Sequence, residues 1–131
     1  IKYFGEAKSF SSEGGTNLGM LNKQELRNLY EEADFGLVAS MSNISLIPYE
    51  MLGTGLPVIE FKDGTFEYFF PKDSAIMTSI DAKDLYEALR DVIQNPEKLI
   101  IHQNNAERYL ENLSWQKTGK QFADIMEAVK E

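Results

Sequence analysis

The residues of this 131-residue chain that are best suited to bind a ligand lie between positions 42 and 60. Ser42, Asn43 and Ser45 belong to a polar loop, and Glu50 follows on a short predicted helix that ends near Gly53. A buried strand is predicted on each side of this loop and helix. Because strand, polar loop, helix and strand in this order offer backbone N–H groups to an anion, the stretch predicts a site for phosphates, such as those of a nucleotide sugar.

The composition argues against several other kinds of site. The chain has no cysteine and a single histidine, His102, which disfavours a metal centre or a Ser-His-Asp triad. The net charge of −8 disfavours nucleic acid or an anionic membrane as the main partner, because both attract positive surfaces. No apolar run approaches the roughly 20 residues of a membrane-spanning helix, and no secretory signal pattern is seen. We expect no metal and no cofactor.

The elements that must position the loop follow from periodicity and from turn signals. Strands are predicted at residues 1–5, 35–40, 57–61 and 75–80. Helices are predicted at residues 23–33, 81–95 and 96–113, and from residue 114 onward. The run at 35–40 is apolar on both faces and is therefore expected to be a central strand.

Other segments carry weaker signals. Residues 6–17 are rich in serine and glycine and are expected to form a loop, with a short extended segment at 18–21. The aromatic run 66–70 fits either a short helix or a loop packed on the sheet. Strands that alternate with helices predict an α/β fold, a Rossmann-like parallel sheet flanked by helices, with residues 1–131 in one domain.

Helical spacing also predicts which side chains are buried. The inward face of helix 81–95 and the apolar face of the last helix are each expected to pack in the core. These predicted faces consist of Leu85, Tyr86, Leu89, Val92 and Ile93 in the first helix and of Trp115, Phe122, Ile125, Met126 and Val129 in the second.

Two motifs resemble a known enzyme family. They are Leu18-Gly-Met-Leu-x-x-x-Glu25-Leu-x-x-Leu-Tyr-x-x-Ala33-Asp and Pro48-x-Glu50-Met-Leu-x-x-Gly55-Leu-Pro-Val58. The chain is similar to the C-terminal, donor-binding domain of retaining glycosyltransferases of family 4, which have the GT-B fold. Within that family it resembles most closely the bacterial rhamnosyltransferases of surface-polysaccharide synthesis. The resemblance covers nearly the whole chain.

The resemblance implies roles for individual residues. Glu50 matches the family glutamate that binds the ribose hydroxyls, a task that suits a carboxylate because it accepts two hydrogen bonds at once. Ser42 stands where the family has a second glutamate near the transferred sugar. The family's Gly-Phe-Gly-Leu turn falls on residues 43–46, so Asn43, Ser45 and the backbone amides of Ser45 and Leu46 are expected to face the diphosphate.

The resemblance also implies what this chain lacks. In the family, an arginine and a lysine from earlier loops compensate the charge of the leaving diphosphate, and a separate N-terminal domain binds the glycan acceptor. We expect the chain to begin near the third strand of the donor domain, as an N-terminally truncated half of a GT-B fold. It would then hold no catalytic residue of its own and would be inactive alone, because loss of an uncompensated diphosphate is costly.

The expected function is transfer of a sugar from a nucleotide diphosphate sugar to a growing cell-surface glycan. This would take place in the cytoplasm, at the inner face of the cell membrane if the rest of the protein lies there. Two other classes stay open. One is a non-catalytic α/β module such as a receiver domain, although the strand ending in Ala39-Ser40 lacks its aspartate. The other is a glycosyltransferase domain kept as a scaffold, with which Ser42 is compatible.

Overall fold

The computed structural model describes residues 1–5 and 11–129, which form two compact units, Ile1–Ala33 and Asp34–Glu131. In the first unit, β1 (Lys2–Tyr3) pairs in parallel with β2 (Thr16–Asn17), and α1 (Lys23–Glu32) follows. The extended segment expected at 18–21 therefore lies slightly earlier, because Thr16 and Asn17 are the residues in register with β1. Part of the loop predicted at 6–17, residues 6–10, lies outside the described residues.

Helix α1 begins where the sequence predicts, at a capping box. The Asn22 side chain accepts hydrogen bonds from the backbone N–H groups of Gln24 and Glu25, at 2.9 and 3.0 Å. The Glu25 carboxylate accepts in return from the Asn22 N–H at 2.8 Å. These bonds satisfy N–H groups that the first helical turn would otherwise leave unpaired.

The second unit contains a parallel sheet in the order β3 (Gly36–Leu37), β4 (Val58–Phe61) and β5 (Ile76–Thr78). Gly36 lies opposite Val58, and Ile59 lies opposite Ile76. Each strand is connected to the next through a helix, which is the connection that a parallel pair requires. The predicted α/β class with a parallel sheet flanked by helices is confirmed.

The expectation that residues 35–40 form a central strand is wrong for this sheet. Strand β4 lies between β3 and β5, and its Val58, Ile59 and Glu60 are fully buried. Leu37 in β3 is 47% exposed. An apolar run shows that a strand is compatible with burial on both faces, whereas its place in the sheet depends on which other strands pair with it.

The helices of the second unit follow the predicted order. They are α2 (Ile47–Gly53), α3 (Phe66–Phe69), α4 (Ala82–Gln94), α5 (Glu97–Leu110) and α6 (Trp115–Ala128). The aromatic run that the sequence left undecided is thus the short helix α3. Asp81 caps α4 by accepting from the N–H groups of Lys83 and Asp84, and Ser114 caps α6 by accepting from the N–H of Lys117.

Two packed clusters hold these elements together. Ile59 of β4 packs with Val92 of α4 and Leu99 of α5. A cluster of aromatic rings joins α2, α3 and α5. In this cluster the ring of Phe70 lies 4.5 Å from those of Tyr49 and Phe66 and 5.3 Å from that of Tyr109.

The predicted buried face of α4 is partly confirmed, and that of α6 is wrong. Val92 is 1% exposed, but Tyr86 and Ile93 on the same helix are 61% and 71% exposed. All five residues predicted to be buried on the last helix are exposed, Trp115 to 87%, so the expectation that this face packs in the core is wrong for the part of the chain that the structure describes. Periodicity identifies side chains that share a helix face, whereas burial also needs another element packed on that face.

An ion pair between α4 and α5 predicts a pH-dependent contribution to stability. The Lys98 ammonium lies 2.6 Å from one carboxylate oxygen of Asp91, and Asn95 donates to the other at 2.8 Å. The hydrogen bond from Lys98 is the largest cause that lowers the pKa of Asp91. A lowered folded-state pKa stabilises the fold at a pH above about 4, and this contribution is lost as the pH falls through the folded value.

We therefore expect Asp91→Asn to lower the Tm at pH 7, and the difference from wild type to shrink as the pH falls below about 4. Lys98→Met should behave in the same way. Thermal melts of the three proteins over this pH range provide the measurement. A Tm difference that stayed constant with pH would contradict the role of the ion pair.

Candidate functional site

The candidate binding segment follows β3 and occupies the carboxyl end of the sheet in the second unit. The polar loop, residues 41–46, leads directly into α2. In parallel sheets of this kind, ligands bind where the carboxyl ends of the strands meet. The sequence predicted five binding residues, and the structure places them all in this one loop and helix. They are Ser42, Asn43, Ser45, Leu46 and Glu50.

The predicted residues are open to solvent to different degrees. Ser42, Asn43 and Glu50 are exposed, Leu46 is 70% exposed, and Ser45 is half-buried. Within the part of the chain that the structure describes, the backbone N–H groups of Ser45 and Leu46 donate no hydrogen bond. These two amides therefore keep their full donor capacity for a ligand.

The Ser45 hydroxyl connects the loop to the beginning of α2. Its oxygen accepts a hydrogen bond of 3.2 Å from the Ile47 N–H. Because a hydroxyl both accepts and donates, its hydrogen is still able to bond an anionic oxygen. Ser45 thus has a local structural role and adds a donor to the loop.

Helix α2 turns Glu50 outward by burying the residues around it. Pro48, Met51 and Leu52 are buried, whereas Glu50 is exposed in the first turn. The buried amide of Gln103, on α5, donates to the Leu52 carbonyl at 2.8 Å, which ties the end of α2 to the core. The Glu50 carboxylate makes no ion pair or hydrogen bond with another described side chain, and it is available to accept from hydroxyls.

Tyr49, next to Glu50, anchors the other face of α2 in the aromatic cluster. Burial is the largest cause that raises the pKa of Tyr49, and the neighbouring Tyr109 adds to it. The half-buried Tyr49 packs its ring against that of Phe70, and a raised pKa keeps its phenol neutral at physiological pH. Its role is to hold α2, and with it Glu50, in place.

A fully buried carboxylate, Glu60, lies at the end of β4 behind the loop. It accepts hydrogen bonds from the Ser40 hydroxyl at 2.5 Å, the Ser40 N–H at 3.1 Å and the Phe61 N–H at 3.1 Å. No motif in the sequence indicates a role for Glu60. The one feature of the sequence that could have indicated this contact is an acidic residue between Ile59 and Phe61, in a strand predicted to be buried.

The turn after β4 completes the contacts of Ser40. The Thr65 N–H and hydroxyl both donate to the Ser40 carbonyl, at 2.6 and 2.8 Å. Gly64 lies so close to this carbonyl that a Cβ atom at position 64 would be 2.5 Å from its oxygen. A side chain at this position is therefore excluded unless the backbone moves.

We expect Gly64→Ala to destabilise the protein by about 2 kcal/mol, because a methyl group would overlap a backbone atom that cannot rotate away. Gly53→Ala is the matched control, since a Cβ there would meet nothing within 4 Å and the residue ends a helix. Urea unfolding of both variants provides the test. An equal loss of stability in the two variants would contradict the predicted overlap.

Other parts of the second unit offer less for binding. A cleft of about 280 Å³ lies beside α3 and the start of β5, lined in part by Phe70, Lys72 and Ser74. It shares no residue with the candidate segment and is small for a ligand pocket, which usually exceeds about 300 Å³. Among residues 1–5 and 11–129, no group of three His, Cys, Asp or Glu side chains is placed to hold a metal ion.

The same range contains no helix that is both long and apolar enough to cross a bilayer.

Comparisons with known proteins identify the fold. No protein-family model and no curated protein matches the sequence. The structure is similar to sucrose-phosphate synthase from Thermosynechococcus elongatus, with a TM-score of 0.75 and 16% identity over 98% of this chain. It is also similar to Anabaena HepE in complex with UDP and glucose, with a TM-score of 0.71 and 17% identity over 89% of this chain.

The chain has the fold of one half of a GT-B enzyme. It spans 38% of the length of the synthase chain and 33% of that of HepE. The fold predicted from the sequence is thereby confirmed. TM-scores of 0.75 and 0.71 establish the fold, whereas identities of 16% and 17% do not establish a function, which is inferred below from the candidate site.

Proposed function

We propose that this GT-B half binds the nucleotide diphosphate sugar of a retaining glycosyltransferase that extends a bacterial cell-surface glycan. The observation that carries the proposal is the loop 41–46 with Glu50, placed at the carboxyl end of a parallel sheet in a GT-B fold. One structural neighbour was solved with UDP and glucose, which are the parts of such a donor.

Each predicted residue has a task in the proposed complex. The Glu50 carboxylate accepts from the ribose hydroxyls, and the N–H groups of Ser45 and Leu46 donate to the diphosphate. In the proposed complex Asn43 lies beside the diphosphate with Ser45, and Ser42 lies towards the sugar. Ser42 carries no charge where the related family has a glutamate, so the contact with the sugar is a neutral hydrogen bond, weaker than a charged one.

The proposed chemistry depends mainly on orientation and on stabilisation of the leaving diphosphate. The described loop supplies neutral donors, so cationic side chains elsewhere in the full-length protein must compensate the charge. The 131 residues alone should bind a donor without transferring its sugar. Detectable glycosyl transfer by the isolated chain would contradict this part of the proposal.

Family 4 membership, a rhamnosyl donor and a cytoplasmic location belong to the same proposal. Family 4 membership is supported by the resemblance of the motifs at residues 18–34 and 48–58, and the rhamnosyl donor by the resemblance of the loop 42–48, Ser-Asn-Ile-Ser-Leu-Ile-Pro. Incubating the full-length protein with UDP-, GDP- and dTDP-sugars and an acceptor glycan tests the donor. We expect transfer of rhamnose with retention of the anomeric configuration.

Calorimetric titration of the full-length protein with UDP, GDP and dTDP tests the binding function. We expect one of the three nucleotides to bind with a Kd in the micromolar range, about −8 kcal/mol. Absence of binding to all three would contradict the proposed function. It would favour a glycosyltransferase domain that serves as a scaffold, the reading with which Ser42 is compatible.

A further inference from the structure

Glu60 is an unusual residue for the middle strand of a sheet. Its side chain is 0% exposed, as are those of Val58 and Ile59 on the same strand. Transferring a carboxylate from water to such a place is costly unless hydrogen bonds replace the lost hydration. An apolar side chain of similar size would avoid this cost. The carboxylate therefore calls for an explanation other than packing.

The hydrogen bonds of Glu60 converge on one neighbouring residue. Two of its donors, the backbone N–H and the hydroxyl, belong to Ser40. The third donor is the N–H of Phe61, the next residue in the chain. Glu60 therefore connects the end of β4 to Ser40, which lies three residues beyond β3 and directly precedes the loop 41–46.

Ser40 is held from a second direction by Thr65. Its carbonyl accepts from both donors of Thr65, so all polar groups of Ser40 are engaged. Two independent anchors on one residue determine both its position and the direction in which the chain leaves it. By contrast, the loop beyond Ser40 has few internal bonds, such as that from the Met41 N–H to the Ala39 carbonyl at 3.0 Å.

We propose that Glu60 is a positioning residue, which acts through Ser40 to hold the loop 41–46 in the geometry that binds the nucleotide sugar. This inference rests on the proposed function, because it assigns the loop to the donor. In this proposal Glu60 does not touch the ligand. It determines the position of the backbone N–H groups of Ser45 and Leu46, which bind the diphosphate. A binding group that is displaced by a fraction of an ångström loses much of its contribution.

Variants at position 60 separate hydrogen bonding from filling of space. Glu60→Gln keeps the shape, with its oxygen accepting from the N–H groups of Ser40 and Phe61 and its NH2 donating to the Ser40 hydroxyl. Glu60→Leu keeps the approximate volume and removes every bond. Val92→Ala is the control for general loss of stability, because Val92 is equally buried but lies on α4.

The first measurement needs no ligand. Hydrogen exchange of the full-length protein, read on peptides that cover 38–46 and 62–66, reports the amides of Ser40 and Thr65. We expect Glu60→Leu to speed exchange in both peptides by about tenfold or more, whereas Glu60→Gln and Val92→Ala leave them near wild type. Unchanged exchange in folded Glu60→Leu would overturn the positioning role.

The second measurement is the Kd for the nucleoside diphosphate that the wild-type protein binds. We expect about tenfold weaker binding for Glu60→Leu and at most about threefold for Glu60→Gln and Val92→Ala. Equal losses in Glu60→Leu and Val92→Ala, or in Glu60→Leu and Glu60→Gln, would overturn the inference. If the wild type binds no nucleotide, the proposed function fails, and the exchange measurement still decides what Glu60 holds.

A double variant shows whether Glu60 acts through Ser40. Ser40→Ala removes one of the bonds to Glu60, and we expect it to weaken nucleotide binding severalfold. Residues that act through a single contact show non-additive effects. The double variant with Ser40→Ala and Glu60→Leu should then bind the nucleotide no more weakly than the single variant Glu60→Leu. If the losses of binding free energy in the two single variants add in full in the double variant, Glu60 does not act through Ser40.

Discussion

Replacing Glu50 by alanine is expected to weaken nucleotide binding by the full-length protein about 100-fold, which corresponds to about 3 kcal/mol. The proposed ribose contact consists of two hydrogen bonds to a charged acceptor, and each contributes about 1.5–3 kcal/mol. The Glu50 side chain is exposed, and its carboxylate makes no ion pair or hydrogen bond with another described side chain. Its removal should therefore leave the fold intact. The loss should therefore appear in binding without a comparable loss of stability.

Glu97→Ala is the matched control for this prediction. Glu97 is also an exposed glutamate in the first turn of a helix, α5, so both substitutions remove the same charge from similar surroundings. Calorimetric titration of wild type and both variants provides the comparison, and thermal melts check folding. Wild-type affinity in Glu50→Ala, or an equal loss in Glu97→Ala, would contradict the ribose contact.

The largest effect on stability is expected for Phe70→Ala, with a loss of about 4 kcal/mol in the free energy of unfolding. Phe70 is 4% exposed, and its ring contacts those of Tyr49, Phe66 and Tyr109. Truncation would leave a cavity between α2, α3 and α5. It would also remove aromatic contacts that contribute beyond the buried area.

Phe69→Ala is the neighbouring control, since Phe69 is 47% exposed and is the last residue of α3, directly before Phe70. We expect it to cost less than about 1 kcal/mol. Urea unfolding, followed by circular dichroism, gives both values. Similar losses in the two variants would show that the aromatic cluster does not hold α2 as the geometry indicates.

Much of the fold could be predicted because local signals and tertiary structure agree. The helices that Asn22, Asp81 and Ser114 cap begin within one residue of their predicted starts. The helix that carries Glu50 was predicted from its flanking loop and glycines, and it is present as α2. Signals of this kind depend on residues within one or two turns of each other.

Features that depend on distant parts of the chain were predicted less well. The exposure of Trp115 and Ile93 depends on which elements cover α6 and α4, and periodicity does not contain that information. The central place of β4 depends on pairing among segments that are about 20 residues apart. In both cases the sequence pattern showed what could be buried, and the tertiary contacts decided what is buried.

In the candidate site, too, features that depend on neighbouring residues could be predicted, and a contact between distant residues could not. Its exposed residues could be named from the motif around Glu50, because they lie together in the chain. The contact between Glu60 and Ser40 joins residues 20 positions apart, and only the register of β3 and β4 brings them together. A buried acidic residue within a predicted strand is the one signal that would have indicated it.

The central claim is that the loop 41–46 and Glu50 bind the nucleotide part of a sugar donor. A crystal structure of the full-length protein with UDP, GDP or dTDP tests it most directly. We predict ribose hydroxyls within about 3 Å of the Glu50 carboxylate and diphosphate oxygens at a similar distance from the N–H groups of Ser45 and Leu46. A nucleotide bound elsewhere, with this segment empty, would contradict the claim.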